Sequence, residues 1–177
     1  MKYILFFFLI VIFSCQQQEP ELIMSIEGQI PDEQADSIRV IATTDSIIDY
    51  EMTAVHLYKY YETKQTFADT VFVKFFKHDG TIETTLKCDR AEVDDAKNTI
   101  TGIGNVVVIS ENGTMKAPYA ELNRNTEQII ASQGVQLIRD ENILYGEEMV
   151  SDMKLDVVEI TRVSGEGKLN DEDLDLH

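Results

Sequence analysis

Positive charge is scarce in this chain. Fifteen lysines and arginines stand against 32 carboxylates, a formal net charge of −17. Nucleic acid, with its dense phosphate charge, is excluded as a partner. An anionic membrane surface would not attract the body of the protein either. Cysteine is limited to Cys15 and Cys88. The three histidines are scattered, and His177 is the last residue. Asp94-Asp95 and Asp171-Glu172-Asp173 lack the spacing and glycine of a calcium loop, so no metal site is expected. No nucleophile, base and acid form a recognisable set, and there is no phosphate loop or catalytic carboxylate pair. The chain reads as a non-enzyme without a cofactor. No long apolar pattern with a 3.6-residue period is present, which argues against helices.

What is present begins with a border. Lys2 precedes an apolar run from Tyr3 to Phe13, eleven residues long. At about 1.5 Å per helical residue the run is too short for a bilayer core of about 30 Å, and it has the proportions of a signal peptide. It ends in Ile12-Phe13-Ser14-Cys15 and turns polar at once. An aliphatic three residues before the cysteine and a small residue just before it resemble the bacterial lipobox. That resemblance implies removal of residues 1–14 and attachment of diacylglycerol to Cys15, so that the protein is held at a membrane by its acylated N-terminus. It leaves 163 of the 177 residues, enough for one domain with a sizeable core. Cys88 then has no partner for an internal disulfide. Past Cys15 nothing approaches the roughly 18 apolar residues of a membrane span. Residues 15–21 read as the lipidated terminus and a linker, and 170–177 (NDEDLDLH from Asn170) as an acidic mobile tail.

Between them the chain reads as strands, rich in alternating β-branched and aromatic residues. Turn signals punctuate it at Asp79-Gly80, Asn112-Gly113 and Asp140-Glu141-Asn142. Asn112-Gly113-Thr114 also matches a glycosylation sequon, but Asn-Gly fits a hairpin better. Internal similarity is visible. Leu86, Cys88, Ala91 and Val93 match Met115, Ala117, Ala120 and Leu122. Met52, Ala54, Leu57 and Leu144, Gly146, Met149 are looser copies. The starts lie 34, 29 and 29 residues apart, and second limbs begin fourteen residues after three of them, at Ile100, Ile129 and Val158. Each unit is therefore two strands. In the first limb, steps of two keep side chains on one face, and the step of three flips that face unless a bulge absorbs a residue. A bulge at Asp89-Arg90 or Pro118-Tyr119 would bend each strand at the same level and curl the stack into a trough. Cys88, in the position held by Ala117 and Gly146, reads as a packing residue rather than a reactive thiol.

The stretch TTLKCDRAEVDDAKNTITGIGNVVVISENGTMKAPYAELN, from Thr84 to Asn123, resembles the LptC/LptA family of lipopolysaccharide export proteins, the OstA-like domain. The Gly-Asn-Val segment and the recurring small residues carry the likeness, which extends over roughly Ile47 to Leu169. An N-terminal membrane attachment on a short chain favours LptC. The resemblance implies an all-β, twisted open β-jelly roll of about four two-strand repeats, here placed over residues 22–169. It implies a periplasmic protein, at the inner membrane for LptC. Its partners would be lipopolysaccharide, the LptBFG transporter and an LptA-like protein, with acyl chains inside an apolar groove. Where LptC is anchored by a transmembrane helix, this chain would depart from the pattern by using the lipid on Cys15.

Alternating residues Val71, Val73, Phe75, Val106, Val108, Val135 and Leu137 are the expected groove lining. The same alternation would serve a closed sandwich core. A stack of strands also has two open edges, which invite strand addition. Val158, Ile160 and Val163 belong to the edge expected to dock a soluble partner, and the strands near Ile47 to Met52 to the edge facing the transporter. The competing reading is a structural envelope lipoprotein that assembles through strand edges and carries no lipid.

Overall fold

The computed structural model describes residues 29–140 and 142–166. The expected signal peptide, Cys15, its linker and the acidic tail lie outside them. Ten strands form: β1 (Glu33–Thr44), β2 (Ile47–Tyr60), β3 (Gln65–Phe76), β4 (Ile82–Asp94), β5 (Thr99–Ser110), β6 (Gly113–Asn123), β7 (Gln128–Arg139), β8 (Asn142–Asp152), β9 (Val158–Thr161) and β10 (Ser164–Glu166). All join one antiparallel sheet in sequence order, each strand beside the one before it up to β8. The short β9 and β10 pair with opposite ends of β8 and share its outer side. Four two-strand units follow an opening strand, as the repeat demands. That strand corrects one expectation. Ile47 to Met52 start β2, which β1 covers, so among the described residues the free edge is β1.

The turns explain the period. At one end the four-residue turns close with Lys64, Asn98 and Glu127, each in the left-handed region (φ 57°, 58° and 56°). Asp94 and Asn123 accept backbone N–H bonds from the turns they begin, at 2.9–3.3 Å. Successive turns are tied together. Arg124 donates to the Asn98 carbonyl at 3.0 Å and its guanidinium to Asp95 at 2.7 Å, while Asn98 donates to Asn125 at 2.6 Å.

The bend arises differently from the sequence expectation. Cys88–Ala91 and Ala117–Ala120 do step by three, but β4 and β6 hold no extra residue there. The extra residue sits in the neighbouring strands. Lys87–Arg90 of β4 spans four residue steps of β5, Val107 to Ile103, and Lys116–Tyr119 of β6 spans four of β7, Gln136 to Ser132. Gly104-Asn105 and Gln133-Gly134 take positive φ at these points. Ser37 in β1, Thr70 in β3 and Arg162 between β9 and β10 do the same at the same level. Odd strands therefore turn through left-handed residues, and even strands switch face by a three-residue step. The sheet kinks along one line across its whole width.

Candidate functional site: the apolar interior

The kink brings every repeat's small and aliphatic residues to one concave side. Ala54, Ala68, Cys88, Ala91, Ala117, Ala120 and Ala131 lie along the bend, where bulk would hold the walls apart. Above and below them stand Val71, Val106, Val108, Met115, Ile129 and Met149. Burial pushes the Cys88 thiol up to about 11, since the thiolate would lose its water.

All seven expected lining residues face this interior. Val71, Val106, Val108, Val135 and Leu137 are buried, and Val73 is half-buried against the core. Phe75 is half-buried too, tilted toward Tyr50 with ring centroids 6.1 Å apart. An apolar cavity of about 290 Å³ opens among Tyr50, Met52, Val73, Phe75, Leu86 and Leu122. Val71, Val106 and Val108 also line it, whereas Val135 and Leu137 do not. The space is at the low end for a single drug-sized ligand, about 300–1,000 Å³. The expected partner edge divides: Ile160 and Val158 pack partly on the core, and Val163 is exposed at the break between β9 and β10.

One feature escapes any reading of the sequence. The segment Met153–Asp156 leaves the lower end of β8 and crosses to the upper ends of β4, β5 and β7. Thr84 donates to the Met153 carbonyl at 3.3 Å, and Ser110 and Asn112 donate to that of Lys154 at 2.6 and 3.1 Å. Arg139 donates to the carbonyls of Leu155 and Asn112, and Lys154 pairs with Glu83 at 2.8 Å. Leu155 is fully buried with φ 56°, an uncommon conformation for leucine. This clasp joins the two walls of the kinked sheet. No local pattern announces it, because its partners are 16 to 71 residues away.

A single antiparallel sheet, kinked along one line and rolled around an apolar cavity, defines an open β-jelly roll. The chain belongs to the Lipopolysaccharide-assembly, LptC-related family, which it matches over residues 3–166. Among solved structures it is similar to LptH of Pseudomonas aeruginosa, described as the LptA-homologous periplasmic component of the lipopolysaccharide transport device. That likeness has a TM-score of 0.54 at 13% identity and covers 68% of this chain and 95% of that one. The fold is thus the LptA-like β-jelly roll. No curated protein matches the sequence.

Proposed function

We propose that the protein is a periplasmic component of the lipopolysaccharide export bridge. It receives lipopolysaccharide from the LptBFG transporter, shelters the acyl chains between its walls and passes them to an LptA-like partner at the β9–β10 edge. The proposal includes anchoring through lipidated Cys15, with the inner membrane favoured. The observation that carries it is the continuous inward apolar face around a cavity of about 290 Å³, in a chain of this family. Each buried methylene is worth about 0.8 kcal/mol, so acyl chains cannot cross water bare at a useful rate. A cavity of this size does not hold several chains at once. Loading therefore requires the walls to part, and the clasp from Met153 to Asp156 is the contact between them that must yield.

The second reading, a scaffold joined through strand edges without lipid, is favoured by Val106, Met115, Met149 and Leu155, which have no exposed surface. In-cell photocrosslinking separates the two. A photoreactive residue at Val108 or Phe75 is expected to give lipopolysaccharide adducts that depend on transporter ATP hydrolysis, and one at the outward Lys116 to give none that depend on it. A folded protein without adducts at either inner position, yet crosslinked to proteins at its edges, would establish the scaffold.

A further inference from the structure

The outer face of the sheet is electrically divided by the kink. Two registered rows on the upper side pass through Phe72, Lys87, Val107 and Lys116, and through Lys74, Thr85 and Ile109. These seven residues of β3–β6 contain three lysines and no carboxylate. The next acid along the second row is Glu51 of β2, which Arg39 already binds through two hydrogen bonds of 3.1 and 3.0 Å. Among the described residues none of the three lysines forms an ion pair; the Lys74 ammonium lies 5.8 Å from the centre of the Phe72 ring. Below the kink the corresponding rows carry Asp69, Glu92, Glu121 and Glu148 against Arg90 alone on β3–β8. In a chain of net charge −17 this segregation is the reverse of what composition implies.

The basic half is also apolar. Phe72 is 38% exposed and Ile109 49% exposed, with Val107 half-buried between the lysines. Beside them opens a depression lined by Lys87, Val107, Lys116 and Gln136. Ammonium groups on long stems interleaved with aliphatic and aromatic side chains suit a lipid interface, where stems and rings enter the headgroup layer and charges meet phosphates. We infer that this patch of β3–β6 docks on the surface of a membrane containing anionic lipid, laying the half of the outer face above the kink against it. The remaining negative charge does not forbid this. Lys87 and Glu92 are five residues apart, about 16 Å along the strand. That is about twice the Debye length of about 8 Å at physiological salt, so the row of Glu92 is screened from the surface that the basic half touches, while the nearer Asp89 accepts a hydrogen bond from Asn105 at 2.8 Å.

The test uses the full-length chain with an environment-sensitive fluorescent amino acid at position 109 or at position 130, both exposed on the outer face but on opposite sides of the kink. Vesicles are phosphatidylcholine with or without phosphatidylglycerol, and contain headgroup-nitroxide lipid as quencher. The expected result is quenching at position 109 and not at 130, only with phosphatidylglycerol, and weakening as salt is raised. Lys87→Gln and Lys116→Gln are each expected to lower vesicle affinity about five-fold, with the circular dichroism spectrum unchanged. Equal quenching at both positions, quenching in pure phosphatidylcholine, or indifference to the two substitutions would overturn the inference. So would salt-sensitive self-association without vesicle binding, the basic half of one copy on the acidic half of another.

Discussion

At the level of single residues, Cys88 shows how position overrides chemistry. The thiol sits in a slot that the other repeats fill with Ala117 and Gly146, and a Cβ at Gly102 would meet its sulfur at 3.6 Å, an ordinary contact. With its pKa raised to about 11 by burial, it is expected to resist alkylation at pH 8 in the folded protein and to react on unfolding. The neutral thiol's contribution to stability is complete below the unfolded value of about 8.5 and is lost as pH rises toward about 11. A pH series of urea midpoints reads this, with Cys88→Ala as the variant in which the alkaline loss shrinks. Gly146 is the tightest of the slots. A Cβ there would lie 2.2 Å from Ile160 Cγ2 and 2.9 Å from the Thr161 carbonyl. Gly146→Ala is expected to cost about 1–3 kcal/mol by overpacking, and amide exchange should show β9 loosening first. Smallness at this level was legible in the sequence. Which neighbour enforces it was not, since Ile160 reaches Gly146 only after the chain has turned back.

Among the elements, the clasp and the kink carry the mechanics. Arg139 holds two main-chain carbonyls from separate segments, Asn112 and Leu155. Arg139→Gln removes charge-assisted bonds worth about 1.5–3 kcal/mol each. The expected outcome is faster amide exchange at Leu155 and its neighbours, with β2 and β3 unaffected, and greater uptake of an apolar dye. A clasp whose loss leaves dye uptake unchanged would show that the walls are held by the core instead. The kink lies where the repeat's three-residue step places it, but the surplus residue belongs to the paired strands β5 and β7. Asp89-Arg90 and Pro118-Tyr119 mark the level, whereas Gly104-Asn105 and Gln133-Gly134 supply the extra residue. Spacing within one strand reports that a face is switched. Which of two paired strands absorbs the surplus depends on the register between them.

For the whole molecule, charge and connectivity decide behaviour. Among the described residues each strand up to β7 pairs only with its neighbours in sequence, so no distant strand pairing must be found during folding. Opposing this is self-repulsion at a net charge of −17. Raising ionic strength from about 0.01 M to about 0.15 M shortens the screening length from about 30 to about 8 Å. The thermal midpoint is expected to rise over that range. A midpoint that falls would mean that the surface ion pairs, such as Arg124 with Asp95, outweigh the repulsion.

The sequence by itself determined the strands, their pairing in units of about 29 residues, the inward set from Val71 to Leu137 and the row of small residues at the bend. These follow from side-chain periodicity and turn chemistry, which act over a few residues and so leave a local trace. Tertiary structure alone decided that β1 is the free edge among the described residues, that Leu155 closes the roll, and that three lysines without ion pairs share one half-face. The lysine cluster is one of local register, since Glu51 and Glu83 stand on the same half and are paired with Arg39 and Lys154. All of these outcomes depend on register and curvature summed over many strands, and residues that meet only through such a sum carry no mark of it in their own neighbourhoods.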